Sequence, residues 1–206
     1  MSQTIPYYFS IISPWAYLGH AEFTRVAARH GLTIEYRPVS LGRLFPETGG
    51  LPLAKRHPSR QRYRLIELQR WRERRDIPLV LRPRHWPFDP SLADRLVIAI
   101  AESGADVEAY LPFVFRAAWA EQQDVADTTT LAAILDRGKL DPALLVATES
   151  ETIIGRYERN LEDARADGVF GSPTYILNGE NFWGQDRLDM LDEAIIMGRR
   201  PFTADL

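Results

Sequence analysis

The sequence predicts an α/β fold in which a large all-helical segment interrupts a small sheet domain. Three observations predict it. A strand–helix–strand pattern opens the chain, helical patterns fill its middle, and a strand–turn–strand–helix pattern closes it. The order βαβ, helical block, ββα assigns residues 1–40 and 166–206 to one unit and residues 41–165 to an inserted helical unit.

The opening elements follow from local chemistry. "IPYYFSII", 5–12, is short, β-branched and aromatic, and reads as a buried strand. Ser13 suits a helix N-cap and Pro14 the first helical position. Tyr17, Leu18, Phe23, Val26 and Ala27 then recur at helical spacing until Gly31 stops the helix. "LTIEYRPV", 32–39, alternates Leu32, Ile34 and Tyr36 as a second strand, parallel to the first.

In the middle, residues 45–61 read as a loop from their Pro and Gly content. Helical patterns occupy 62 to about 165. Ser91, Asp106, Asp127 and Asp141 stand where N-caps are expected, with Pro142 at a first helical position. A last helix covers about 151–167. After it, Asn178-Gly179 between two apolar runs predicts a tight hairpin, and "QDRLDMLDEAIIMG" a closing helix.

Composition narrows the function classes. The 206 residues hold 25 Lys+Arg against 28 Asp+Glu, so no basic field speaks for nucleic acid. No apolar stretch approaches the ~20 residues of a membrane span, and no secretory leader pattern opens the chain. There is no cysteine, which removes disulfides, thiol redox chemistry and thiolate metal sites. His20, His30 and His57 lack metal-ligand spacing, so no metal is expected. A cytoplasmic, soluble protein is the expectation.

Three stretches can carry chemistry. At Ser13-Pro14 a serine at a helix start serves as a cap. The same geometry, with free N–H groups and a positive dipole end, also stabilises an anion such as a thiolate. "GSPT", 171–174, is either a plain loop-to-strand boundary or a cis Ser172-Pro173 bond presenting the Ser172 backbone. In "FWGQDRLDML", Gly184 breaks a strand and Gln185 and Asp186 open a helix. Asp186 is there a charged cap, or the partner of a ligand amine beside backbone N–H groups that hold a carboxylate.

The element order resembles the DsbA-like thioredoxin fold. "FSIISPWAYL", "YRLIELQRW", "GVFGSPTYIL" and "FWGQDRLDML" are similar to the 2-hydroxychromene-2-carboxylate isomerases, relatives of kappa-class glutathione transferases. The resemblance spans essentially the whole chain in order. It implies that the redox cysteine of the fold is replaced by Ser13, which activates the thiol of bound glutathione. It implies that Ser172, before cis Pro173, pairs its backbone with the cysteinyl part of glutathione, as an added strand does. Gly184, Gln185 and Asp186 then match the γ-glutamyl site, with Arg187 fixing Asp186.

Ten Lys, Arg and His residues lie between 55 and 75. They form a solvated helix face, or Lys55, Arg56 or Arg60 pairs with a carboxylate of substrate or glutathione. In "RPRHWPFDP", His85 is a surface residue or a base, and Trp86 and Phe88 are candidates for the wall of an aromatic pocket. Naphthalene-pathway members carry Asn and Tyr near this stretch, and "HWPF" departs from them.

The leading expectation is therefore a glutathione-dependent isomerase acting on a small aromatic-derived substrate, as a homodimer. A kappa-type glutathione transferase or peroxidase is the alternative. A non-catalytic glutathione-binding protein is a further one. A disulfide oxidoreductase is excluded by the missing cysteine.

Overall fold

The computed structural model describes residues 3–204. Residues 1–2 and 205–206, the ends of the expected sheet unit, lie outside the described residues. Strand β1 (Thr4–Phe9) leads into α1 (Pro14–Arg29) and β2 (Thr33–Pro38). The helical block follows: α2 (Leu41–Thr48), α3 (Pro58–Arg75), α4 (Ser91–Glu102), α5 (Leu111–Trp119), α6 (Thr128–Arg137), α7 (Ala143–Ala147) and α8 (Glu151–Ala166). The chain closes with β3 (Thr174–Leu177), β4 (Glu180–Trp183) and α9 (Leu188–Met197), with single 3-10 turns at Leu53–Lys55, Val107–Ala109 and Gln185–Arg187.

The sheet order is β2-β1-β3-β4. β1 and β2 are parallel, in register from Thr4 opposite Thr33 to Phe9 opposite Pro38. β3 runs antiparallel to β1, with Tyr175 opposite Tyr7, and β4 returns antiparallel to β3. Asn178 and Gly179 both have positive φ, 53° and 85°, as a two-residue type I′ hairpin requires.

Alternation along β1 divides the core. Tyr7 and Phe9 face a large cluster that includes Phe23 of α1, Leu96 of α4, and Phe115 and Trp119 of α5. Tyr8 faces the opposite side, with Val39, Leu44, Leu161 and Ile176. Helices of the block thus pack on both faces of the sheet, in two apolar clusters where each large buried side chain contributes about 1.5–3 kcal/mol.

Some local expectations need correction. The expected loop 45–61 is partly helical. α2 runs through Pro46 to Thr48, and α3 begins at Pro58 after an N-cap at His57, whose ring accepts from the Ser59 N–H. β1 stops at Phe9, because Ser10 to Ser13 form a turn in which Ser13 N–H donates to Ser10 carbonyl at 3.0 Å. Ser91 is the first residue of α4, and Asp89 caps its N–H at 2.9 Å. Pro142 precedes α7, while Asp141 accepts from Ala143 N–H. No helix among the described residues is long and apolar enough to cross a membrane.

Candidate active site

The site begins where β1 turns into α1. Ser13 has extended backbone and caps α1, its Oγ accepting from Ala16 N–H at 3.3 Å. Pro14 has no N–H, and Trp15 N–H donates to no protein acceptor among the described residues. A free donor and the positive end of a 16-residue helix therefore lie beside the Ser13 hydroxyl.

That hydroxyl donates to the Ser172 carbonyl oxygen at 3.2 Å. The Ser172-Pro173 bond is cis, as one of the two sequence readings has it. Ser10 N–H donates to Ser172 Oγ at 3.3 Å, so two hydrogen bonds join the start of the chain to the segment entering β3. Ser172 N–H donates to no acceptor among the described residues.

Pro173 links this pair to the third stretch. Its carbonyl accepts from Gly184 N–H at 2.9 Å. Gly184 has φ 104°, and a Cβ there would lie 2.3 Å from Asp186 Oδ1, so glycine is required. Gln185 is buried, and its Oε1 accepts from Arg75 Nε at 3.3 Å. Arg75 Nη2 also donates to the Gln185 carbonyl at 3.2 Å, and Arg75 pairs with Glu22 at 3.4 Å. The Gln185 side chain is thus engaged in holding the turn. Asp186 is half-exposed and ion-paired with Arg187 at 2.8 Å. The N–H groups of Gln185 and Asp186 donate to no protein acceptor among the described residues. Gly19 allows this turn to approach α1, since a Cβ there would lie 2.5 Å from Gln185 Cβ.

Two residues absent from the sequence reading fix the turn before Ser13. Asp94 of α4 is fully buried. It accepts from Ile11 N–H at 2.9 Å, Ser10 Oγ at 2.8 Å and Tyr157 OH at 3.2 Å. Burial pushes its carboxyl up to about 7, against the three hydrogen bonds that favour the charged form. Trp119 Nε1 donates to Ile11 carbonyl at 2.9 Å. Both backbone groups of Ile11 are therefore clamped from the helical block. A lone acid inside the apolar run "SLADRLVIAI" was the one sequence signal for Asp94.

The basic candidates are spread out. Lys55 and Arg60 are exposed. Arg56 is half-buried and donates to Leu51 carbonyl at 2.7 Å, its guanidinium lowered by burial and by Arg60. None of the three has a hydrogen bond or ion pair to Ser13, Ser172 or Asp186 among the described residues. Trp86 packs against Trp119, ring centroids 6.4 Å apart, and Phe88 against the same core. His85 lies 3.7 Å from Asp124, both partly exposed. Arg64, also missed from sequence, stands over the Trp86 ring at 5.4 Å.

Comparison with known proteins accords with this geometry. Residues 4–196 match the DSBA-like thioredoxin domain family. A 2-hydroxychromene-2-carboxylate isomerase of Pseudomonas putida is 32% identical over 204 residues, covering 95% of this chain and 94% of that protein. One from Sphingobium xenophagum is 29% identical over 199 residues, covering 95% and 100%. The solved structure of a 2-hydroxychromene-2-carboxylate isomerase superposes with TM-score 0.79 at 31% identity, over 96% of this chain and 95% of that one. A probable DsbA oxidoreductase from Streptomyces coelicolor shares the fold, with TM-score 0.76 at 18% identity over 97% and 92%. The chain belongs to the DsbA-like thioredoxin family, among the 2-hydroxychromene-2-carboxylate isomerases.

Proposed function

We propose that this protein is a glutathione-dependent isomerase that converts 2-hydroxychromene-2-carboxylate, or a close aromatic-pathway analogue, to its trans-o-hydroxybenzylidenepyruvate-type isomer. The observation that carries the reading is the Ser13 hydroxyl, held at a helix N-terminus beside cis Ser172-Pro173 in a chain without cysteine.

The residues present fit glutathione. Trp15, Ser172, Gln185 and Asp186 offer backbone N–H groups without protein acceptors among the described residues. Asp186 offers a carboxylate for an amine, already oriented by Arg187. Ser172 N–H and carbonyl suit pairing with an extended peptide, and the Gln185 and Asp186 N–H groups suit a carboxylate. When bound, glutathione supplies a thiolate that is both nucleophile and leaving group, which opens a double bond to rotation.

The chain's own part is to bind, orient and hold charge. The Ser13–Ser172 bond of 3.2 Å is long for a hydroxyl donor, so the Ser13 proton turns readily toward a stronger, charged acceptor. Ser13 then donates while the α1 dipole favours the anion. Asp94 and Trp119 keep the Ile11 backbone in place, so the donor is preorganised. A basic residue among Lys55, Arg56 and Arg60 can steer a carboxylate, and Trp86 and Phe88 supply aromatic surface. Thiol chemistry of this kind suits a reducing compartment, so we place the enzyme in the cytoplasm, as a homodimer.

The test is turnover of 2-hydroxychromene-2-carboxylate with free thiol followed in parallel. The reading expects product that depends on glutathione while thiol concentration stays constant. Stoichiometric thiol loss with a stable adduct would instead make the protein a transferase of kappa type. Binding of glutathione without turnover of either kind would leave a binding protein.

A further inference from the structure

We propose that Arg64 and Trp86 form the recognition site for the carboxylate of a planar aromatic acid, the second reactant beside glutathione. The assignment of that acid as second reactant rests on the reading above, whereas the anion site itself rests on the following geometry.

The arginines of α3 divide along the helix. In its C-terminal half, Arg70 pairs with Glu67 at 2.5 Å and Arg75 with Glu22 at 3.4 Å, while Arg72 donates to Leu79 carbonyl. In the N-terminal half, Arg64 is half-buried yet has no carboxylate and no hydrogen-bond acceptor among the described residues. A cation withdrawn from water is normally paired, because desolvation without a counterion is costly. Burial and the neighbouring Arg56 lower its guanidinium to about 10, so it is still charged at neutral pH.

Trp86 is the second half of the site. The Arg64 Cζ stands 5.4 Å from the centre of its ring. A guanidinium over a ring keeps its N–H donors for another partner, and those of Arg64 meet no acceptor among the described residues. The Trp86 Nε1–H is itself buried without an acceptor. One contact pair thus holds two kinds of donor and no acceptor, and a carboxylate is the group that the guanidinium fork fits best.

The position suits the reaction. Trp86 is backed by Trp119, whose indole N–H is bonded to Ile11 carbonyl, two residues before Ser13. Arg64 is thus linked to the turn before Ser13 through Trp86 and Trp119, and the Trp86 ring offers aromatic surface to a planar substrate. A carboxylate pinned at Arg64 fixes such a ring relative to the Ser13 end of α1.

The test uses 2-naphthoate and its neutral counterpart 2-naphthamide, titrated calorimetrically into the full chain with and without glutathione. The proposal expects the acid to bind wild type more tightly than the amide. Arg64→Met, which keeps the apolar stem, should weaken the acid roughly tenfold to a hundredfold. It should leave the amide unchanged, which also shows that the variant is folded, and Arg64→Lys should recover part of the loss. Glutathione affinity of Arg64→Met should equal that of wild type. Equal binding of acid and amide to wild type, or an unchanged acid affinity in Arg64→Met, overturns the site. Loss of glutathione affinity in place of acid affinity overturns the assignment to the second reactant. Arg64-dependent acid binding in a protein that binds no glutathione supports the anion site and counts against the glutathione reading alone.

Discussion

Asp94 Oδ1 accepts the Ile11 N–H at 2.9 Å, joining α4 to the turn before Ser13 across 83 residues of sequence. The same carboxyl receives Ser10 and Tyr157 hydroxyls at Oδ2. A fully buried acid therefore supports the segment that carries the proposed donor.

Its titration gives the first prediction. Burial raises the folded carboxyl to about 7 from an ordinary 3.8. Between those values the native state holds a proton that the unfolded chain has released. Stability contributed by this group is thus present at low pH and lost as pH rises through the window, levelling above 7. Asp94→Asn keeps an acceptor for Ile11 and does not titrate. Urea unfolding at pH 5 and pH 8 should show wild type losing up to about 2.6 kcal/mol more than the variant, the part of the window above pH 5. Parallel pH profiles would contradict it.

Asp186 should act in binding. Asp186→Asn removes the charge proposed to meet the γ-glutamyl amine and leaves the backbone donors of the turn. Because the ion pair with Arg187 is half-exposed, screening keeps the effect modest. Calorimetry should show glutathione affinity reduced roughly threefold to tenfold, less at high salt. Turnover at saturating glutathione should change less than affinity. The reverse pattern would remove Asp186 from the binding role.

Gly19→Ala tests the packing that brings the two halves of the site together. The added methyl meets Gln185 Cβ at 2.5 Å and Tyr175 Oη at 3.1 Å, inside the core. Overpacking of this kind costs about 1–3 kcal/mol. Thermal unfolding should register the loss, and glutathione affinity should fall with it, because Gln185 must shift. A neutral substitution would show that the turn and α1 are not closely packed.

A homodimer should sediment near twice the 23.5 kDa chain mass at micromolar concentration. A single-chain mass would contradict the proposed assembly.

The sequence made legible those features whose causes are local. The Ser13-Pro14 helix start and the Asn178-Gly179 hairpin each follow from one or two residues' conformational preferences, and both are in place. Local chemistry leaves the Ser172-Pro173 bond open between cis and trans, and the bond is cis. Pro46 within α2 ran against the usual meaning of proline, since packing of Leu41 and Leu44 on Tyr8 and Val39 overrides local propensity. Asp94, Trp119, Arg64 and Arg75 were not legible as site residues. Their partners lie 83, 108, 22 and 110 positions away, and only tertiary contact reveals them. Arg64 and Arg75 in particular sit in one run of basic residues, which hides that the first is unpaired and the second secured by Glu22 and Gln185.

The role proposed for the Ser13 hydroxyl, now donating to Ser172 at 3.2 Å, is to lower the pKa of a bound glutathione thiol. The direct measurement is ultraviolet thiolate absorbance of glutathione bound to wild type and to Ser13→Ala, titrated against pH. Losing one charge-assisted hydrogen bond is worth about 1.5–3 kcal/mol, or roughly one to two pKa units. The bound thiol should titrate higher by that amount in Ser13→Ala, in a protein that still binds glutathione. Superimposable titration curves from the two proteins would contradict it.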